Sequence, residues 1–189
     1  MFFVSDASLD AILADDLPYG DETTSLFLQG SQQGALVAEA KTEGIVCGVA
    51  LAARLLRRLG SVCDVHVEDG SYVPAHAPLL CARGSVEQLL GAYKMAQVIM
   101  EYTTGITRRT AAMVAAAERV SPNCRIALTR KHFPGAKRLS LYAALCAGGT
   151  LHRSSLSESV LLFDAHLSRG SSRSGKKCKS TISRAAHRG

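Results

Sequence analysis

The sequence predicts two joined parts, a mixed α+β first half and the opening of an α/β second half. Up to Ser85 the apolar residues come in short alternating runs, among them GALVAEAK (34–41) and APLLCARG (77–84). Such period-two runs mark half-buried strands. Beyond Ser85 the period lengthens to that of helices, and RIALT (125–129), a helical stretch over 137–147 and SVLLF (159–163) then follow in turn. Strand, crossover helix and strand in that order make a right-handed βαβ unit, the building block of a parallel sheet or barrel. The change of pattern places the division near residues 100–120, with domains expected over 1–105 and 106–168 and a separate tail over 169–189.

Each element has its own signal. Leu9, Ile12 and Leu13 share one face of a helix over 5–15, with Ser5 or Asp6 as its cap, and Pro18 ends it. PYGDETT (18–24) reads as an ordered turn, in which Asp21 can bond backbone amides two residues on. The runs at 34–41 and IVCGV (45–49) are expected to be strands, followed by a helix over ALAARLLRRLG (50–60). SVCDVHVEDG (61–70) and APLLCARG are expected as two more strands, joined by the Gly/Pro-rich DGSYVPAHAP (69–78). Two helices follow, 85–102 with Ser85 as N-cap and roughly 107–119.

Length and charge exclude several classes. A chain of 189 residues holds one ordinary domain, or one small domain and part of a second. The net charge of +6 is uneven: Arg169, Arg173, Lys176, Lys177, Lys179, Arg184 and Arg188 give the tail +7 with no acid. The body keeps 15 of the 22 bases against 16 acids, so it has no basic face suited to nucleic acid. The tail lacks residues that could pack and is expected to be disordered. Six cysteines (47, 63, 81, 124, 146, 178) stand far apart with no CxxC pair, and they read as reduced core residues of a cytoplasmic protein. The N-terminus has acids and no basic n-region, which argues against a signal peptide, and no apolar run is long enough to span a bilayer.

One constellation carries chemistry. LTRKHFPGAKRLSLYAALCAGGTLHR (128–153) sets Arg130, Lys131 and His132 at the end of one apolar run and His152 with Arg153 after a Gly-Gly turn. In α/β barrels the C-terminal ends of strands face the active-site mouth. Arginine forks grip carboxylate or phosphate and lysine adds a point charge, so these clusters suit a polyanionic small molecule; the alternative is a solvated loop of ordinary charges. Other signals are weak. GSSRSGKK (170–177) nearly matches a phosphate loop, but Lys177 replaces the magnesium-binding hydroxyl and no amphipathic helix follows. EDGSYVPAHAPLL (68–80) resembles the hairpin of lipoyl or biotinyl carriers without the lysine such a carrier needs, so it reads as a structural turn. His66 and His76 lack a second ligand at metal spacing, and no metal site is expected. Neither GxSxG nor HExxH occurs.

The motifs LPYGDETT, AEAKTEGIVCGVALAARLL, EYTTGITRRT, TRKHFPGAKRLSLYAALCAGGTLHR and LSESVLLFDAH, in that order, resemble the quinolinate phosphoribosyltransferase (nicotinate-nucleotide pyrophosphorylase, carboxylating) family over roughly residues 5–167. The resemblance implies an α+β N-terminal open-faced sandwich followed by the opening part of an α/β barrel, here incomplete, and a homodimer whose sites borrow a basic residue from the neighbour. It also implies the reaction: the pyridine nitrogen of quinolinate attacks C1 of phosphoribosyl pyrophosphate, pyrophosphate leaves, and carbon dioxide is lost. By position in the motifs, Arg130 would hold a quinolinate carboxylate, Lys131 would face the phosphoribosyl substrate as the catalytic position, and His152 with Arg153 would line the dicarboxylate pocket. Lys94 stands where the family has an arginine donated across the dimer. Mg2+ is implied as the bridge to pyrophosphate.

Two departures follow. Phe163 occupies the place of the family's lysine, which together with TRKHFPG resembles the ModD branch, pyrophosphorylases associated with molybdenum transport, and leaves the acceptor open. The composition changes after Leu167, before the family's later acidic magnesium ligands and phosphate loops, so a C-terminally truncated chain with little or no turnover is expected. Two other roles stay beside the enzyme: a dimerising, non-catalytic remnant, and nucleic-acid binding through the tail.

Overall fold

The computed structural model describes residues 4–28, 32–164 and 166, so the expected disordered tail over 169–189 lies outside the described residues. The chain to Ser154 forms one compact unit, and a second begins at Ser155. Helix α1 (Asp6–Asp16) is capped by Ser5, whose hydroxyl accepts from the Ser8 amide at 3.3 Å, and it buries Leu9 and Leu13. PYGDETT is more than a turn: α2 (Glu22–Phe27) starts inside it, because the Asp21 carboxylate caps it by accepting from the Thr24 amide, three residues on, at 3.1 Å. The Thr24 hydroxyl, which also donates to this carboxylate, and then the Thr24 amide hold the Asp21 carboxyl below the usual carboxylate range.

Strands β1 (Gln33–Glu39), β3 (Val62–Val65) and β5 (Pro78–Ser85) form an antiparallel sheet in the order β1-β5-β3. The register aligns Leu36, Ala82 and Cys63 across the strands on one face, and Val37, Cys81 and Asp64 on the other. The first face is covered by α3 (Val49–Arg58) and α4 (Val86–Val120), with Leu80 and Ala82 fully buried. The second leaves Val37 55% and Val62 66% exposed. A single sheet with helices on one face only is an open-faced sandwich, as the resemblance implies. IVCGV gives a shorter strand than expected: β2 (Gly44–Ile45) pairs with β4 (Tyr72–Val73), which lies inside the Gly/Pro-rich connection.

The chain then turns at Gly48, whose φ of +84° only glycine adopts without strain, and α3 begins. A Cβ at Gly48 would lie 2.2 Å from Thr103 Oγ1. Asp69 caps this helix from outside by accepting from the Val49 amide at 2.8 Å. α1 is tied to α3 by Arg54 to Asp6 and by a two-pronged Arg58 to Asp10 contact at 2.6 and 2.7 Å.

The two expected helices over 85–102 and 107–119 are one 35-residue helix, α4. Its start is a full capping box between Ser85 and Gln88. The Thr103-Thr104-Gly105 stretch between the two expected helices continues as helix because both hydroxyls are used. Thr103 donates to the Ile99 carbonyl at 2.6 Å and to the Cys47 carbonyl at 2.9 Å, and Thr104 accepts from the Cys47 amide at 3.0 Å. Gly105 costs the helix about 1 kcal/mol relative to alanine, an amount these contacts offset.

The βαβ unit is present, with a different second strand. β6 (Ala127–Leu128), α5 (Lys137–Cys146) and β7 (Thr150–Leu151) follow in order, and β6 and β7 pair in parallel, Leu128 opposite Leu151. The expected strand over 159–163 is irregular, with Val160 89% and Leu162 61% exposed. The apolar run at 159–163 has the composition of a strand without the pairing of one among the described residues, whereas Thr-Leu at 150–151 pairs but is too short to give a periodic signal.

Gly48→Ala tests the tight approach of α3 to α4. It should lower stability by about 3 kcal/mol or more, from the positive φ and the clash together; a change under about 0.5 kcal/mol in urea unfolding would mean the contact is not as tight as described.

Candidate functional site

Arg130 and Lys131, and His152 and Arg153, are placed by the paired strands β6 and β7. Thr150 donates its amide to Ile126 at 2.9 Å and His152 to the Leu128 carbonyl at 3.1 Å, so the two strands run level. Arg130 and Lys131 therefore leave the C-terminal end of β6 while His152 and Arg153 leave the same end of β7. His152 and Arg153 thus follow the second strand; they do not precede it, as a strand over 159–163 would have required. The β6 end is shaped by a tight turn, in which the Lys131 amide donates to Thr129 Oγ1 at 3.3 Å and the His132 amide to the Arg130 carbonyl at 3.2 Å.

β7 is brought to its place by glycine. Gly148, with φ +82°, ends α5, and at Gly149 a Cβ would meet the Ala144 carbonyl at 2.8 Å, Leu128 at 2.9 Å and Thr110 at 3.2 Å. Only a residue without a side chain lets α5, β6 and α4 converge there.

Arg130, Lys131 and His152 are exposed, whereas Arg153 is 8% exposed and so belongs to the packed wall. Both ring nitrogens of His132 are buried without a hydrogen-bond partner among the described residues. From Arg119 to Ser157 the sequence contains no aspartate or glutamate. The strand ends accordingly carry their basic residues on a stretch of sequence that contains no carboxylate. Lys94 is not gathered into this group by hydrogen bonding: it lies on the exposed face of α4, donates to Gln97 Oε1 at 3.0 Å and sits 5.1 Å from the Tyr93 ring centre. In the second unit, Phe163 is 54% exposed and its ring lies 5.7 Å from that of His166.

Neither of two sizeable clefts is lined by these cations. One, of about 690 Å3, includes Ser25, Gly60, Arg83 and Gln88; another, of about 560 Å3, lies between β1 and α4 and includes Lys41, Tyr93 and Arg108. Arg108 closes the second by donating to the Ile45 carbonyl at 3.0 Å and to Thr42 Oγ1 at 3.0 Å.

A second cluster escaped sequence reasoning. Asp69 accepts from Tyr142 Oη at 2.5 Å as well as from Val49, and the next residue, Gly70, packs against Cys146 and donates its amide to the Val46 carbonyl, next to Cys47. Its only sequence signal was the Asp-Gly pair at 69–70, which reads equally well as a turn. Burial, followed by the bond to Asp69, pushes the Tyr142 hydroxyl above its ordinary value. Of the cysteines, Cys47 and Cys63 are buried as expected of core residues, but Cys124 is exposed.

Fold and strand ends together define a mixed α/β protein, an open-faced sandwich followed by a parallel βαβ unit with basic residues at its strand ends. Family models agree: the quinolinate phosphoribosyl transferase N-terminal domain matches residues 21–104, and the C-terminal domain of the same family matches 106–186. The chain belongs to the quinolinate phosphoribosyl transferase family. A Rhodobacter capsulatus protein named "Putative pyrophosphorylase ModD" is 39% identical over 166 residues, 88% of this chain and 64% of that protein. A Methanocaldococcus jannaschii protein named "Probable nicotinate-nucleotide pyrophosphorylase (carboxylating)" is 30% identical over 80% of this chain and 53% of its own length. The crystal structure of NadC from Streptococcus pyogenes matches with a TM-score of 0.79 at 26% identity, over 87% of this chain and 60% of that one. The chain spans about six tenths of the length of the curated ModD relatives it matches. No helix among the described residues is long and apolar enough to cross a membrane.

Burial separates the arginines. Arg153→Ala should cost about 2–4 kcal/mol of unfolding free energy and Arg130→Ala under about 0.5 kcal/mol. Equal losses in denaturant titration would show that Arg153 is not part of the packed wall.

Proposed function

We propose that the ends of β6 and β7 bind phosphoribosyl pyrophosphate and a pyridine carboxylate, as a phosphoribosyltransferase or pyrophosphorylase of the quinolinate phosphoribosyl transferase type. One observation carries the reading: two basic pairs leave the same end of adjacent parallel strands, in a segment free of carboxylates. Both substrates are polyanions, and fixed cations stabilise charge that builds up on a departing pyrophosphate. Arg130 offers a fork to an acceptor carboxylate and Lys131 a point charge to the phosphoribosyl group, while Arg153 holds the wall beside His152. The pyridine nitrogen then displaces pyrophosphate at C1 of the ribose.

The acceptor is the finer part of the proposal. Phe163 supplies no charge where the resemblance puts a lysine, so the acceptor need not be quinolinate. Mg2+ is implied by the family, but the described residues do not fit it as a resident ion. They include no group of three His, Cys, Asp or Glu able to hold a metal, and the strand ends are cationic. Magnesium would have to arrive on the pyrophosphate oxygens of the substrate, and no step is assigned to it.

A homodimer is the proposed assembly, and Lys94, on the exposed face of α4, would serve the partner's site. Val37 and Val62 on the open face of the sheet favour this assembly, since apolar side chains there are left uncovered in the single chain. The same face would serve the second reading, a dimerising protein without catalysis.

Calorimetric titration with phosphoribosyl pyrophosphate and magnesium separates the readings. Binding is expected, weakened about 10–100-fold by Arg130→Ala or Lys131→Ala, the worth of one charge-assisted contact. No binding by the folded chain, or binding indifferent to both substitutions, would leave the dimerising reading. A panel of pyridine mono- and dicarboxylates in the same titration identifies the acceptor.

A further inference from the structure

The cluster around Asp69 plays no part in the proposed chemistry, yet it brings two cysteines together from distant parts of the chain. Cys47 is fully buried in the turn between β2 and α3, where Thr103 and Thr104 hold its carbonyl and amide. Cys146 is half-buried at the last position of α5. Both flank Gly70. The Gly70 amide donates to the Val46 carbonyl at 2.8 Å, while a Cβ on Gly70 would lie 2.7 Å from the Cys146 carbonyl and 3.7 Å from Cys146 Cβ. One turn earlier in α5, the Ala143 carbonyl accepts from Thr107 Oγ1 at 2.8 Å, so the same face of α4 fixes both cysteine-bearing segments.

The two cysteine-bearing segments thus meet α4 one helical turn apart, at Thr103 and Thr107, and close on Gly70 from either side. The contact with Cys146, and then burial, raise the Cys47 thiol above its ordinary value. The same contact lowers that of Cys146 against the opposing effect of burial. Among two neighbouring thiols, the more acidic and more accessible one is the nucleophile and the other the resolving partner.

We propose that Cys47 and Cys146 form an oxidisable dithiol site, which a hydroperoxide converts to a disulfide joining the end of α5 to the β2–α3 turn. The Cys146 thiolate attacks the terminal peroxide oxygen, the O–O bond breaks, and the leaving oxygen takes a proton to depart as water or alcohol. Cys146 is then a sulfenic acid. Cys47 sulfur attacks the Cys146 sulfur, the S–O bond breaks, and the hydroxide released combines with the Cys47 proton as water. Two thiols lose two electrons to one peroxide, and a dithiol or thiol reductant returns the pair. This inference does not depend on the phosphoribosyl reading.

Tryptic cleavage makes the site easy to read. Cys47 falls in residues 42–54 and Cys146 in residues 139–153, each peptide with a single cysteine. The full-length native chain is treated with hydrogen peroxide, alkylated, and digested without reduction. The expected product is the 42–54 peptide linked to the 139–153 peptide, with loss of two alkylatable thiols, restored by dithiothreitol. Peroxide treatment in urea should lose the preference for this pair, and Cys146→Ser should leave Cys47 in its thiol form under native conditions. The proposal is overturned if native Cys146 oxidises to sulfinic acid while Cys47 stays alkylatable. It is equally overturned if Cys146 pairs with Cys63, Cys81, Cys124 or Cys178 as often as with Cys47.

Discussion

Hydroxyl groups on one face of α4 hold the compact unit together. Thr103 and Thr107 are fully buried, and Thr110 nearly so. Spaced four and three residues apart, they lie along one stripe of the helix. Thr103, with Thr104 beside it, binds the backbone at Cys47, and Thr107 binds the backbone at Ala143. Thr110 packs where Gly149 turns into β7. A helix of this length spans about 50 Å. Its hydroxyls fix the sandwich at one point and the βαβ unit at the next.

The stripe also explains why small residues gather opposite it. A hydroxyl can reach a backbone carbonyl on a neighbouring element only if the two backbones approach closely. Gly48 allows this for the β2–α3 turn, and Gly149 for the end of α5. Buried donors and acceptors without partners would cost about 1–3 kcal/mol each, so the hydroxyl, the glycine and the facing carbonyl work as one unit. Leucine in place of Thr103 would satisfy the local helix but leave the Cys47 carbonyl with the longer Thr104 contact at 3.1 Å in place of two hydroxyl donors.

The architecture was legible because it rests on periodicity. Leu36 and its neighbours in β1 alternate between half-buried and exposed, and the capping signals at Ser5 and Ser85 stand in the sequence where the helices begin. What escaped rests on contacts between distant residues. Thr103-Thr104-Gly105 resembles a helix end until Cys47 is seen to satisfy the hydroxyls. SVLLF resembles a strand more than Thr150-Leu151 does, yet strand identity was decided by pairing with Ala127 and Leu128. The basic pairs were legible as residues, though not their arrangement at the same ends of adjacent strands. Asp69 gave no sign that it caps α3 and holds Tyr142, because both partners lie far away in sequence.

The short β7 links the two clusters. Cys146 lies at the end of α5 that leads through Gly148 and Gly149 into β7, while His152 and Arg153 lie just beyond that strand. The extended path from Gly149 to His152 is about 10 Å. In a longer barrel strand, ladder bonds would isolate one end from the other. Here Thr150 and His152 each give a single amide bond to the β6 side, so the position of the cations depends directly on how α5 ends. Whatever fixes Cys146 against the β2–α3 turn therefore also narrows the positions open to His152. The same short strand that places the cationic wall makes it responsive to the packing of α5 on α4.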